Sequence, residues 1–156
     1  MYKDLRETNY NYLHSNSYID GECLRFDDFD TSYLNNKVIA VAGDIVMCRV
    51  GKRCVGKIGY IESGKVVLSD CLYKITVPKI KSKRLFKLLC SKKCKEWIQI
   101  SSHGVCSKVI SKSELLDYIK TLLCHCNVEY CGKERIFISC CMIVQPDRAV
   151  HTDCKL

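Results

Sequence analysis

The chemistry that this sequence suggests most directly is phosphate binding, in the segment from residue 49 to residue 57. The segment reads Arg-Val-Gly-Lys-Arg-Cys-Val-Gly-Lys and combines four cations with two glycines. Glycine lets the backbone approach a ligand closely, and Lys and Arg side chains neutralise phosphates. We therefore predict a loop that contacts a nucleic-acid backbone through Arg49, Lys52, Arg53 and Lys57.

Positive charge is concentrated in the middle third of the chain. The net charge of the 156 residues is +8, but residues 47–95 hold 14 of the 25 Lys and Arg residues and only two of the 17 Asp and Glu residues. Cations supply most of the sequence-independent affinity for nucleic acid, so this distribution favours a DNA- or RNA-binding protein. On charge alone, a solvated cationic face that keeps the protein soluble is the alternative.

Cysteine is the second residue type that could do chemistry. The chain has 13 cysteines, an odd number, and its first residues lack the apolar segment of a secretory signal, so we expect most of them to be reduced. A zinc site would use residues from the C-terminal third: Cys124, His125, Cys126, Cys131, Cys140 and Cys141. The chain contains no C-x-x-C pair, so we predict buried thiols without bound metal. A small zinc-binding or redox-sensitive interaction protein is the alternative.

An acidic cluster offers a third kind of chemistry. Asp27, Asp28 and Asp30 could hold Mg²⁺ in a metal-dependent nuclease, but such a site needs ligands from separate elements. A helix N-cap at Asp30 or Thr31 explains the cluster more simply.

Sequence motifs for catalysis are missing. The two prolines stand alone, which excludes the Pro-Pro motif of adenine methyltransferases, and no phosphate-binding P-loop or nucleophile elbow is present. We predict a non-catalytic protein without a cofactor.

Short apolar runs must position the loop at 49–57. The runs at 38–41, 45–46, 66–68 and 72–77 are rich in Val and Ile, and Gly, Ser or Asp bounds most of them. β-branched residues favour strands and glycine favours turns. We predict a twisted, mostly antiparallel sheet over residues 38–77.

The apolar period changes after Pro78 and predicts helices over residues 82–100. Leu85, Leu88 and Leu89 fall on one face of a first helix with Ser82 as N-cap, and a second piece buries Trp97 and Ile100. The opposite faces carry cations that either line a DNA backbone or face solvent: Lys83, Arg84, Lys87, Lys92 and Lys93.

A small polar loop and a third helix follow. In the loop, His103 is a candidate base reader, Lys108 a candidate phosphate contact, and Ser107 lies between them. Ser111 and Glu114 fit a capping box, which predicts a helix over residues 111–123. With the sheet, these helices predict an α+β fold.

Three motifs resemble those of a known family. They are G-D-I-V-x-C-R-V-G from Gly43, G-K-I-G-Y-I from Gly56 and L-S-D-C-L-Y-K-I from Leu68, followed by the loop that runs into I-S-K-S-E-L at residues 110–115. This order resembles the target recognition domain of type I restriction-modification DNA specificity subunits, a module also found in some adenine-specific DNA methyltransferases. The resemblance covers residues 18–123.

The resemblance implies a function and partners. A domain of this family recognises a sequence in double-stranded DNA, while an adenine-specific methyltransferase, with a restriction subunit in some complexes, performs the reaction. A second copy of the chain is a further candidate partner. No apolar run is long enough to span a membrane and the first residues are polar, so we expect a cytoplasmic location without a membrane partner. Residues 1–17 are a polar lead-in, and residues 124–156 depart from the family because they lack its Pro-rich segment and long spacer helix.

Overall fold

The structure, a computed structural model, describes residues 10–32, 34, 37–125 and 136–139. These residues form eight strands and three helices. In chain order, the elements are β1 (Tyr12–Leu13), β2 (Glu22–Arg25), β3 (Ile39–Val41), β4 (Ile45–Cys48), β5 (Ile58–Ser63), β6 (Lys65–Leu68), β7 (Leu72–Thr76), α1 (Lys79–Leu89), α2 (Lys92–Ser101), α3 (Lys112–His125) and β8 (Phe137–Ser139).

The strands belong to two mixed sheets. One has five strands in the order β2-β5-β4-β7-β8, and the other has three in the order β1-β6-β3. The β1–β6 and β2–β5 pairings are parallel, and the other pairings among the described residues are antiparallel. The prediction of an α+β fold is therefore confirmed. The segment 38–77, expected to form one sheet, contributes strands to both.

The chain passes from one sheet to the other at Gly64, between β5 and β6. Gly64 has φ +75°, and a side chain there would collide with the carbonyl oxygen of Phe26. Only glycine adopts this conformation in so little space. The bend turns β6 away from the five-stranded sheet, where it pairs with β1 and β3.

Side chains alternate along β4 and separate two hydrophobic cores. Ile45 and Met47 belong to a core shared with the three helices. Val46 and Cys48 belong to a second core shared with the three-stranded sheet. All four side chains are fully buried. The five-stranded sheet is therefore the middle layer, with helices on one face and a small sheet on the other.

The starts of the helices differ in how well the sequence predicted them. Helix α1 begins at Lys79, directly after Pro78, so the prediction of Ser82 as N-cap was wrong. Pro78 occupies the N-cap position, where its missing backbone N–H costs no intrahelical hydrogen bond, and the helix begins directly after it. Ser82 is buried inside α1, where its hydroxyl donates to the carbonyl oxygen of Gly43. At α3, the hydroxyl oxygen of Ser111 accepts from the Glu114 backbone N–H over 3.3 Å, as the capping box predicted.

Both terminal segments contribute a strand. Strand β1 comes from the predicted lead-in and pairs with β6, while β8 comes from the C-terminal segment and pairs with the edge of β7. The folded sheets thus extend beyond residues 18–123.

Candidate nucleic-acid interface

Loop 49–57 connects β4 to β5 and is folded back on itself. Val55 N donates to Gly51 O over 3.2 Å, and Gly56 N donates to Cys48 O over 2.8 Å. Gly51 and Gly56 have positive φ angles, +129° and +78°. A side-chain carbon at Gly56 would lie 2.5 Å from Ile98 of α2, so the second glycine of this loop is required for close packing.

The small polar loop, residues 101–110, is joined to loop 49–57 by backbone hydrogen bonds. Gly51 N donates to Lys108 O over 2.9 Å, and Ile110 N donates to Arg49 O over 3.0 Å. Val50 also forms a β-bridge with Val109. Two segments that the sequence proposed separately as nucleic-acid contacts therefore form one surface.

The cations on this surface differ in their exposure. Lys52 and Arg53 are exposed at the turn of loop 49–57. Lys108 is half-buried, and its ammonium lies 3.4 Å from Gln99 O. Arg49 is also half-buried, with its guanidinium 5.8 Å from the centre of the Tyr73 ring. Lys52 and Arg53 are thus the side chains of this loop best placed to meet a phosphate.

Lys57 points toward the N-terminal part of the fold. Its ammonium donates to Ser15 O over 2.8 Å and lies 4.9 Å from the centre of the Tyr18 ring. The Tyr18 hydroxyl donates to Lys57 O over 3.0 Å, and burial raises the pKa of that hydroxyl. We predicted that Lys57 contacts phosphate together with the other cations of the loop. The contacts described here show that it also holds the loop against the N-terminal segment.

The helix cations lie on separate elements. Lys83, Arg84 and Lys87 are exposed on α1, on the side away from buried Leu85 and Leu89. Lys83 lies 5.9 Å from the centre of a tyrosine ring of β5.

Lys92 and Lys93 are exposed at the start of α2, where Lys92 pairs with Glu96 over 3.8 Å. The same helix contacts loop 49–57 through Lys95, whose ammonium donates to Gly56 O over 2.7 Å and pairs with Asp20 over 2.6 Å. Sequence reasoning passed over Lys95, whose role in the fold is to join α2 to the loop.

His103 is exposed on loop 101–110 and is bound to α3. Its Nε2 lies 3.0 Å from a carboxylate oxygen of Glu114. Its backbone N–H donates to Val109 O, and its carbonyl oxygen accepts from Val109 N. Hydrogen bonds from Ser111 and His103 lower the pKa of Glu114. This pairing fixes the imidazole at the edge of the loop, while Ser107 is exposed near its other end.

Exposed apolar side chains also lie in loop 101–110 and directly before it. Val105 is 101% exposed, Ile100 is 82% exposed, and Val109 is 37% exposed. The prediction that Ile100 is buried was therefore wrong, because the buried face of α2 is formed by Cys94 and Ile98. Periodicity could not reveal Val105, which lies in a loop without a repeating pattern.

The acidic cluster and the cysteines do not form a metal site in the described part of the chain. No group of three His, Cys, Asp or Glu side chains there is arranged to hold an ion. Asp30 accepts from Ser32 N over 2.9 Å, which caps a turn. The expected helix N-cap at Asp30 or Thr31 was therefore wrong, because none of the helices in the described ranges begins there. The seven cysteines whose side chains are described are free thiols. The proposed zinc ligands Cys126, Cys131, Cys140 and Cys141 lie outside the described residues.

No protein-family model matches the sequence, and a comparison with curated proteins finds no match. None of the helices in the described ranges has the length and apolar character that a membrane span requires.

Proposed function

We propose that this chain is a non-catalytic, sequence-specific double-stranded DNA-binding module. The hydrogen bond from Gly51 N to Lys108 O carries most weight, because it joins loop 49–57 to loop 101–110. A single surface then combines exposed cations with exposed polar and apolar side chains. This is the combination that a duplex requires, since cations bind phosphates while other side chains contact base edges.

The two loops divide these tasks. Lys52 and Arg53 contact phosphates and supply affinity, with Arg49 and Lys108 adding positive potential behind them. His103, Ser107 and Val105 belong to the loop that faces the bases. Polar side chains read donors and acceptors in the major groove, and an apolar side chain there contacts the methyl group of thymine.

The helices supply a second set of phosphate contacts. The exposed faces of α1 and α2 carry Lys83, Arg84, Lys87, Lys92 and Lys93. Few acidic residues lie near them in the sequence, and Lys92 forms an exposed ion pair with Glu96 on its own helix. In this proposal, the cations of α1 and α2 extend the duplex contact beyond the loops.

The sequence motifs support a more specific assignment. Their order resembles a target recognition domain, so we propose that the chain directs a methyltransferase or nuclease of restriction-modification type inside the cell. The expected partner is an adenine-specific DNA methyltransferase, with a restriction subunit or a second copy of this chain as further members of the complex. The reaction itself then belongs to the partner.

Selection from a pool of random duplexes tests this function. The purified chain is incubated with the pool, bound duplexes are sequenced through several rounds, and the affinity for the enriched sequence is measured against a scrambled duplex at several salt concentrations. Enrichment of one sequence and a steep salt dependence are expected. Binding without sequence preference would contradict target recognition, and no binding to duplex DNA would contradict the proposal as a whole.

The partner is tested separately by affinity purification of the tagged chain from native cells. A co-purifying adenine-specific methyltransferase is expected. Recovery of the chain alone, from cells that express such an enzyme, would contradict the assignment to a restriction-modification complex.

A further inference from the structure

Two thiols converge at the base of loop 49–57. Cys48 is the last residue of β4, and Cys54 lies within the loop. Both thiols donate to the carbonyl oxygen of Val50, Cys48 over 3.2 Å and Cys54 over 3.4 Å. The two sulfur atoms therefore lie around the same oxygen atom.

The backbone of the loop directs the Cys54 sulfur inward. Gly51 has φ +129°, and a side chain at Gly51 would collide with the Cys54 sulfur. Cys54 is half-buried and packs against the core that contains the fully buried Cys48. The loop thus brings a partly accessible thiol toward an inaccessible one.

We propose that Cys48 and Cys54 form a reversible intramolecular disulfide that fixes the shape of loop 49–57. This inference goes beyond DNA binding, because it depends only on the positions of the two sulfur atoms. An S–S bond is about 2.05 Å long, so the sulfurs must approach each other and give up their bonds to Val50 O. Cys54 is the residue that moves, since Cys48 is held in the middle of the sheet by β5 and β7.

Hydrogen peroxide is the oxidant in this reaction. The Cys54 sulfur attacks the O–O bond, which gives a sulfenic acid and releases one water molecule. The Cys48 sulfur then attacks the Cys54 sulfur, loses its proton, and displaces a second water molecule as the disulfide forms. The two thiols lose two electrons and two protons in total, and the peroxide is reduced to water.

Accessibility sets the order of these two steps. Burial raises the pKa of the Cys48 thiol to about 12, so Cys48 remains protonated until the sulfenic acid is beside it. Cys54 is partly accessible and meets the peroxide first. Thiols in solution reduce the disulfide through the same accessible sulfur.

Cys71 is the competing partner for Cys54. It is half-buried, and its backbone carbonyl accepts from Arg49 N over 2.9 Å, so it lies beside the same loop. Cys48 and Cys54 both donate to Val50 O, whereas the contact of Cys71 with this loop is made by its backbone carbonyl. We therefore expect Cys48, not Cys71, to take up the Cys54 sulfur.

Peptide mapping of the full chain tests the inference. Trypsin cleaves after Arg49, Arg53 and Lys57, so Cys48 and Cys54 fall on different peptides, 38–49 and 54–57. The protein is treated with peroxide, free thiols are blocked, and the digest is analysed by mass spectrometry without reduction. A linked pair of these peptides, lighter by two hydrogens than their sum, is expected, and it should disappear after treatment with dithiothreitol.

Three variants make the result specific. Cys71→Ala should leave the linked pair unchanged, whereas Cys48→Ala should abolish it and leave Cys54 as a sulfenic acid that dimedone traps. Cys23→Ser, at an exposed position on β2, is the control for nonspecific oxidation. A dominant link from Cys54 to Cys71, or Cys48 that is still fully alkylated after oxidation and denaturation, would overturn the proposal.

Discussion

The Tyr18 hydroxyl donates to the carbonyl oxygen of Lys57 over 3.0 Å, while the Lys57 ammonium lies 4.9 Å from the centre of the Tyr18 ring. The two residues are 39 positions apart in the sequence. Together with the bond from Lys57 to Ser15 O, they attach the end of loop 49–57 to the N-terminal segment. Lys57, which the sequence predicts to contact phosphate, thus also stabilises the fold.

Lys57→Ala is expected to lower the free energy of unfolding by about 1–2 kcal/mol, because it removes a charged hydrogen bond and a cation–π contact. Urea denaturation measures this loss. Arg53→Ala, in the same loop but exposed, should change stability by less than about 0.5 kcal/mol. Equal stability of the two variants would show that the contacts of Lys57 contribute nothing.

Replacing both Lys52 and Arg53 with Ala is expected to weaken binding to every duplex and to flatten the salt dependence. Each lost phosphate contact should reduce the slope of log affinity against log salt by about 0.9. Fluorescence anisotropy on the selected and the scrambled duplex measures both effects. Lys120→Ala, which removes a lysine paired with Asp117 on α3, is the charge control. An unchanged slope in the double variant would show that loop 49–57 faces away from the DNA.

Val105→Ser is expected to weaken binding to the selected duplex by about 1 kcal/mol, if thymine methyl groups are its contact in the major groove. Replacing thymine with uracil removes only that methyl group. At one thymine of the selected duplex, replacement with uracil should lower the affinity of the wild-type protein. The same replacement should leave the affinity of the Val105→Ser variant unchanged. Equal sensitivity of both proteins to uracil would contradict the contact.

Glu114→Gln is expected to make stability less dependent on pH in the acidic range. Hydrogen bonds from Ser111 and His103 lower the pKa of Glu114 below its ordinary value of 4.5. A lowered pKa in the fold adds stability above pH 4.5, and this stability is lost as the pH falls through the lowered pKa. Thermal unfolding measured across this range tests the sign, with Glu96→Gln on α2 as the exposed control. The same pH profile in wild type and Glu114→Gln would contradict it.

Local patterns predicted the elements better than their connections. The Val- and Ile-rich runs became strands, and the capping pair Ser111 and Glu114 marks the start of α3, because both signals depend on near neighbours. Membership of two sheets depends on Gly64 and on the parallel partners β1 and β2, which are distant in the sequence. Apolar periodicity does not predict pairings between strands that are distant in the sequence.

The candidate interface was predictable in part for the same reason. Glycines and cations identified loop 49–57 and the loop that contains His103 as separate segments. Their junction through Gly51 and Lys108 is a backbone contact between residues 57 positions apart, to which no side-chain pattern corresponds. Likewise, the exposure of Ile100 depends on which face of α2 meets the sheet, and two faces of that helix carry apolar residues.

The alternation along β4 has a consequence for how the molecule unfolds. Neighbouring residues of this strand, such as Val46 and Met47, belong to opposite cores, and β4 pairs with both β5 and β7. We therefore expect that neither the helical layer nor the small sheet unfolds while β4 remains paired with β5 and β7. Heat or urea should disrupt the helical layer and the small sheet in one cooperative transition, so that fluorescence of the single Trp97 and far-ultraviolet circular dichroism report the same midpoint.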